Sequence, residues 1–264
     1  MVAAETCPIF RTFTLLTVPF ICEVTLENFR FNLAKSKRFK NTVRQVNAGA
    51  SYTFTRKMKV ENSAVVTDIQ VGQRSPELQT ILMVIETLMQ PQFYNDLRTS
   101  QQLGYIVNSG MSVLEKTLGL VFIIQSGEYN TETLEQRIGV FLEKFNDSLR
   151  GMTDAELNRI KKSVLNSKLQ KTNSVTAEAG RLFNLAFEQN AEFDVNSREI
   201  RALEKLTRED ILDFVNSYLR TSKQRKLILR MSGKDHEAGN SAGELISSTA
   251  KFKKLYACPQ HCLP

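Results

Sequence analysis

The spacing of apolar residues limits the folds open to this chain more than any other feature of its sequence. Apolar and polar residues alternate from Tyr52 to Met58 and again from Ala64 to Val71, which is typical of half-buried β-strands. Glu61-Asn62 lies between these runs, so we predict a β-hairpin. After the capping residue Ser75, apolar residues recur every three or four positions, which predicts an amphipathic helix that ends or kinks at Pro91.

The rest of the chain keeps strands and helices in separate groups. We predict a short helix over 93–102, stopped by Gly104, and then strands over 105–107 and 118–125. Further helices are predicted over residues 131–149, 153–169, 176–189 and 207–219, and a last strand over 226–231. This order predicts an α+β fold in which helices pack on one face of a largely antiparallel sheet.

Positive charge is concentrated at the N-terminus. Residues 1–60 contain ten Lys and Arg against three Asp and Glu, whereas residues 61–264 contain 25 of each. The densest basic stretch spans 35–44 and includes one aromatic residue, Phe39. A stacking surface for bases is therefore missing, and we interpret the stretch as a solvated segment rather than a nucleic-acid site. We divide the chain into a basic segment of uncertain fold (1–50), a domain (51–256) and a tail (257–264).

The four cysteines lie at the two ends of the chain, at positions 7, 22, 258 and 262. A secreted disulfide fold would spread them through its core, so we expect a reducing compartment, the cytoplasm or alternatively the mitochondrion. Cys258, His261 and Cys262 offer soft ligands, but no second half of a zinc knuckle accompanies them. The apolar stretch 12–22 is too short to cross a membrane, and Glu5 argues against a signal peptide.

Self-sufficient catalytic motifs are missing from the sequence. It contains no Gly-rich phosphate loop, no dinucleotide fingerprint and no Gly-x-Ser-x-Gly elbow. It has two histidines: His236 lies in a loop-like stretch without an i+4 partner, and His261 lies in the tail. Two histidines cannot build a three-histidine metal site. From its residues alone, we expect this chain to catalyse no reaction by itself.

Residues 91–109 carry a specific resemblance. They contain the pattern Leu-Arg-Thr-x-x-Gln-Leu-Gly-Tyr-x-Val from Leu97 to Val107, and this pattern resembles the C-terminal half of the insulinase-type zinc metallopeptidases, which include insulysin, nardilysin and pitrilysin-like enzymes. The segments 120–126, 152–156 and 206–211 also match. The resemblance covers roughly residues 50–256, the equivalent of a fourth domain in a four-domain enzyme.

The resemblance implies a division of labour between two half-shells that enclose a chamber. In the family, an N-terminal half carries an inverted His-x-x-Glu-His motif that binds zinc, and its Glu acts as general base. This chain has no such motif. The resemblance therefore implies a half-shell domain similar to LuxS and the processing peptidases, with no catalytic and no metal-binding residue of its own. Zinc would belong to the catalytic half of the parent enzyme.

The same resemblance implies three substrate-binding residues. Arg98 and Tyr105 would reach across the chamber to the peptide near the scissile bond, where a guanidinium or phenol stabilises a developing oxyanion. Tyr94 stands where the family has an aromatic pocket wall, usually Phe. The competing interpretations are a surface ion pair for Arg98 and a sheet-packing aromatic for Tyr105.

We therefore predict the substrate-embracing C-terminal domain of a zinc metalloendopeptidase, with a peptide and a catalytic N-terminal half as partners, and without membrane contact. The half could lie in the same chain or in a separate one. Two alternatives remain open. One is a non-catalytic interaction or scaffold subunit of the same superfamily, and the other is a nucleic-acid binder that relies on residues 35–44.

Overall fold

A computed structural model of the chain describes residues 45–248, apart from residues 115, 189, 190, 238 and 242. The first half of this region holds β1 (Ser51–Lys57), β2 (Ser63–Gln73), α1 (Pro76–Phe93), β3 (Ile106–Leu114) and β4 (Thr117–Ser126). The second half holds α2 (Thr131–Arg150), α3 (Asp154–Leu169), α4 (Val175–Phe183), α5 (Val195–Lys205), α6 (Arg208–Phe214), β5 (Lys226–Ser232) and β6 (Glu244–Leu245). Helices α1, α4 and α6 each continue into a π-helical turn, over Tyr94–Ser100, Asn184–Glu188 and Val215–Leu219.

The six strands form one sheet in the order β3-β4-β2-β5-β1-β6. The pairs β3/β4, β4/β2 and β2/β5 are antiparallel, whereas β5/β1 and β1/β6 are parallel. The sheet is thus largely antiparallel, with a parallel edge. This sheet and its helices confirm the predicted α+β class for the described part of the chain.

The hydrophobic core lies between α1, α2 and one face of the sheet. Alternate residues of β4 are buried, including Leu120 and Phe122, because successive strand side chains point to opposite faces. Phe93, at the end of α1, contacts Phe122 and Phe141 with ring centroids 5.4 and 4.9 Å apart. This aromatic contact ties together α1, α2 and the sheet.

The predicted starts of α1, α3 and α6 are confirmed. Ser75 Oγ accepts a hydrogen bond from Leu78 N at 3.1 Å, with Pro76 at the first helical position. Thr153 and Thr207 open α3 and α6 with capping boxes, in which a carboxylate three residues later accepts from the threonine N–H.

The predicted hairpin of β1 and β2 is wrong. β5 lies between these strands and pairs parallel to β1 and antiparallel to β2, with Ile228 opposite both Thr53 and Thr67. Neither the alternation in the two strands nor the short turn between them carries information about a third strand more than 150 residues later in the chain. Strand order was therefore decided by long-range pairing.

Helix α5 was not predicted, because its buried side is partly ionic. Glu199 is almost fully buried on this helix, forms an ion pair with Lys168 of α3, and lies 3.9 Å from Arg74. The Glu199 carbonyl also accepts a hydrogen bond from Thr80 Oγ1 of α1 at 3.2 Å. An apolar stripe is the signal that identifies an amphipathic helix, and here a carboxylate occupies part of that stripe.

Within the described residues, no helix combines the length and the apolar composition that crossing a bilayer requires.

Candidate functional site

The site is built where α1 passes into β3. The helix does not end at Pro91; it continues to Phe93 and then widens into the π-helical turn Tyr94–Ser100. The separate short helix predicted over 93–102 is therefore a continuation of α1. Leu97 is fully buried in this turn, which fixes the turn to the core and leaves Tyr94 exposed beside the partly exposed Arg98.

The chain reverses direction just after this turn. Gln101 Nε2 donates to Asp96 Oδ1 at 2.9 Å, and Leu103 N donates to the Leu97 carbonyl at 3.0 Å. Gln102 adopts a φ of 52°, a left-handed conformation that non-glycine residues seldom adopt. These contacts hold the reversal in one geometry and direct the following residues toward the edge strand β3.

Gly104 is required by close backbone contact rather than as a helix stop. A Cβ atom at this position would lie 2.0 Å from the carbonyl oxygen of Gln125 on β4. The predicted function of Gly104 as the C-terminal stop of a helix is wrong, since α1 and its π-helical turn have already ended at Ser100. The absence of a side chain lets residue 104 lie against the backbone of β4, next to the first pair of the β3/β4 ladder, Ile106 and Gln125.

The three candidate substrate-binding residues, Tyr94, Arg98 and Tyr105, line one cleft of about 590 Å³, which we name the Arg98–Tyr105 cleft. The Arg98 guanidinium carbon lies 5.6 Å from the centre of the Tyr105 ring, within the range of a cation–π contact. Tyr105 is 84% exposed and Tyr94 is 49% exposed. Tyr105 therefore does not pack on the sheet, and Arg98 forms no ion pair with the described carboxylates.

The opposite wall of the cleft comes from the loop between β4 and α2, through Ser126, Gly127 and Glu128. Ser126 Oγ accepts hydrogen bonds from the N–H groups of Glu128 and Tyr129, both at 3.1 Å. Sequence analysis missed this wall. The segment 120–126, which resembles the family, ends where this loop begins. The position of the loop directly after that segment is the one sequence feature that could have indicated its part in the site.

The cleft lining does not fit a metal ion. Among the residues that line it, one carboxylate, Glu128, is present without any histidine or cysteine, whereas zinc takes three or four N, S or O ligands. More widely, no group of three or more His, Cys, Asp or Glu side chains is placed to hold a metal in the described part of the chain. The cleft can bind a ligand by donating hydrogen bonds from Arg98 and Tyr105. Its lining residues include no nucleophile paired with a general base.

His236 has a structural role. Its Nδ1 lies 2.7 Å from Ser63 Oγ, and Ser63 also accepts from Gly233 N at 3.1 Å. Ser63 is fully buried, so the pair fastens the loop after β5 onto β2. The basic stretch 35–44 and the tail ligands Cys258, His261 and Cys262 lie outside the described residues, as do Cys7 and Cys22.

Comparison with known proteins connects this geometry to one family. Residues 84–183, which include the whole π-helical turn and β3, match the C-terminal lobe domain 4 of PqqF-like PQQ synthase proteins. The chain is 30% identical to the insulin-degrading enzyme of Homo sapiens over 180 residues and 28% identical to the A-factor-processing enzyme of Saccharomyces cerevisiae over 209 residues. This chain contains a C-terminal domain of the insulinase type.

The insulinase-type domain spans a small part of these relatives. The matches cover 66% and 75% of the chain, but 17% and 20% of the human and yeast proteins. Among solved structures, pitrilysin superposes with a TM-score of 0.74 at 22% identity over 88% of the chain and 26% of its own length. An inactive M16 peptidase domain from Pseudomonas fluorescens superposes with a TM-score of 0.53 at 16% identity over 77% of the chain and 47% of its own. These superpositions support the fold.

Proposed function

We propose that the insulinase-type domain of this chain forms one wall of a peptidase chamber and binds a peptide beside the bond to be cleaved. The observation that supports this most directly is the pairing of Arg98 and Tyr105 in one exposed cleft. Both side chains can donate hydrogen bonds, and neither is buried in the surrounding fold. A catalytic half, in the same chain or in another, would supply the reaction.

Arg98 and Tyr105 would contribute electrostatic stabilisation in this proposal. When a peptide carbonyl becomes tetrahedral, charge develops on its oxygen, and a donor already positioned there stabilises the transition state more than the ground state. Arg98 lies over the Tyr105 ring, so each side chain restricts the other. Leu97 and Gly104 fix the backbone beneath them. This preorganisation is what donation to an oxyanion requires.

We propose further roles for zinc, for Tyr94 and for strand β3. Zinc would be bound by the catalytic half, since the lining of the Arg98–Tyr105 cleft does not fit it. Tyr94 would form an aromatic wall for a substrate side chain. The edge strand β3 begins beside Tyr105 and could pair with an extended peptide backbone.

The cytoplasm is the compartment that we favour, with the mitochondrion as the alternative, because the cysteines lie only at the chain ends.

The test measures cleavage of a fluorogenic peptide after this chain is combined with a catalytic half that carries His-x-x-Glu-His. We expect Tyr105→Phe to lower kcat by roughly ten- to a hundred-fold with little change in KM, because a donor used mainly in the transition state is lost. Tyr94→Phe is the matched control and should leave kcat nearly unchanged. An unaltered kcat for Tyr105→Phe contradicts the assigned role, and zinc-dependent cleavage by the pure chain contradicts the division of labour.

A non-catalytic scaffold subunit is the second candidate. Its support is the structural similarity to an M16 domain described as inactive. Both candidates predict that a partner with His-x-x-Glu-His is captured by this chain. They differ in the effect of the double substitution Arg98→Ala/Tyr105→Phe: a scaffold would retain both the complex and its peptidase rate, whereas a substrate-binding wall would retain the complex and lose most of the rate.

A further inference from the structure

A second cavity, of about 370 Å³, lies between α2, strands β2 and β5, and the loops before and after β5. It shares no described lining residue with the Arg98–Tyr105 cleft. We name it the Lys226 cavity after the cation that lines it. Its volume falls at the lower end of the range for small-molecule sites, about 300–1,000 Å³, so its lining indicates what kind of small molecule it would take.

The floor of the cavity carries a hydroxyl group without a partner. Thr67, on β2, is 3% exposed, and its Oγ1 forms no hydrogen bond within the described region. A buried hydroxyl without a partner is costly, and native structures seldom keep one without reason. The neighbouring surface is apolar, because Leu142 and Ile228 line the same space.

Lys226 places a positive charge beside this floor. It opens β5, where its N–H donates to the Ala50 carbonyl at 2.9 Å, so its backbone is fixed. Its ammonium forms no ion pair within 4.0 Å with any carboxylate of the described residues. Burial lowers the pKa of Lys226, and the negative charges of Glu135 and Glu143 partly oppose that effect. A half-buried cation of this kind favours an anionic partner.

Three carboxylates of α2, Glu132, Glu135 and Glu143, line the cavity. Glu132 Oε2 accepts a hydrogen bond from a backbone N–H at 3.2 Å. Glu135 Oε2 is engaged by Arg230 Nε and Ser241 Oγ, each at 3.5 Å. Glu143 lies two helical turns later on α2, is exposed, and has no ion pair with a described residue. The cavity lining thus includes a cation and a buried hydroxyl without described partners, apolar side chains, and an exposed carboxylate that forms no ion pair with a described residue.

We propose that the Lys226 cavity binds the zwitterion of a free aliphatic amino acid. The carboxylate of the amino acid pairs with Lys226 and accepts from Thr67 Oγ1, and its ammonium pairs with Glu143. The aliphatic side chain packs on Leu142 and Ile228. A ligand with an ammonium alone would leave Lys226 and Thr67 without a partner, and a ligand with a carboxylate alone would make no use of Glu143.

Isothermal titration calorimetry with L-leucine as the probe tests the ligand class. We expect saturable binding of L-leucine, and at least tenfold weaker binding of both L-leucinamide, which lacks the carboxylate, and N-acetyl-L-leucine, which lacks the ammonium. Absence of L-leucine binding at millimolar concentration would overturn the proposal. So would equal affinity for L-leucine and either analogue.

Two variants test the site. Lys226→Met keeps an apolar stem in the cavity and should weaken L-leucine binding at least tenfold, whereas Lys223→Met, at an exposed lysine three residues earlier, should leave it unchanged. Thermal unfolding of both variants verifies that they are folded. Binding that survives Lys226→Met, or that is lost equally in both folded variants, would overturn the proposal. Because the readout is binding to this chain alone, failure here leaves the proposed peptidase function unaffected.

Discussion

At the scale of single residues, the site depends on the missing side chain of Gly104 as well as on the side chains of Arg98 and Tyr105. Gly104 approaches Gln125 more closely than any Cβ could allow, and this approach lets Tyr105 emerge at the surface. By contrast, Gly139 lies within α2, where an added Cβ would meet nothing within 4 Å. The two glycines therefore predict opposite responses to the same substitution.

Gly104→Ala should destabilise the domain by about 1–3 kcal/mol, because the new methyl group forces the backbones of β4 and the site apart. Gly139→Ala should stabilise it by about 0.5–1 kcal/mol, because an unstrained alanine loses less entropy in a helix. Urea unfolding measures both free energies. A neutral Gly104→Ala would show that the close approach is not required for the fold.

Asp68 gives a pH-dependent prediction at the same scale. Burial raises the pKa of its carboxyl group, and a hydrogen bond from Ser112 Oγ at 2.6 Å opposes this effect. With a raised folded-state pKa, the native state holds a proton that the unfolded chain has released. Stability therefore falls as pH rises from the ordinary aspartate pKa through the raised one.

Asp68→Asn should consequently raise the free energy of unfolding relative to the wild type at pH 7, and the difference should shrink as the pH falls toward 4. The amide oxygen of asparagine can still accept from Ser112, so the hydrogen bond is retained. Paired urea titrations at the two pH values measure the difference. A gap that widens at low pH would contradict the raised pKa.

At the scale of elements, α3 and α5 are joined through charge as well as through apolar contact. Lys168 of α3 and Glu199 of α5 form an ion pair in which both side chains are largely buried. A buried pair of this kind adds little net stability over an apolar pair, but removing one partner leaves the other charge buried without compensation. The pair therefore fixes how these helices meet.

Lys168→Met should cost about 3–5 kcal/mol of unfolding free energy, since Arg74, at 3.9 Å, is the one cation that the described residues leave beside Glu199. Adding Glu199→Met should recover most of this loss. Lys162→Met, at an exposed position of α3, is the matched control and should change stability little. If the double variant is as unstable as Lys168→Met, the loss comes from packing and not from the unpaired charge.

At the scale of the whole molecule, β5 joins the two ends of the described domain. It lies between β1 and β2 and contributes Ile228 to the core. The N-terminal strand β1 thus depends for its main pairing on a strand close to the other end of the domain. Contacts of such long sequence separation make folding of the sheet a property of the entire domain.

Ile228→Ala should destabilise the domain by about 2–5 kcal/mol and should reduce hydrogen-exchange protection in β1 as well as in β5. Leu229→Ala, at a 37% exposed position on the other face of the same strand, should cost less. Protection in β1 that is insensitive to Ile228→Ala would show that this strand is held independently of β5.

The sequence by itself determined the types of most elements, the capped starts of α1, α3 and α6, the fold class and the motif from Leu97 to Val107. Each of these depends on residues that are close together in the chain, through apolar periodicity, capping residues or a short sequence pattern. The tertiary structure decided that β5 separates β1 from β2, that α5 buries Glu199 against Lys168, and that the loop after β4 completes the Arg98–Tyr105 cleft. These features arise from pairing and packing between residues far apart in the chain, where the energy depends on which surfaces meet and local patterns carry no information.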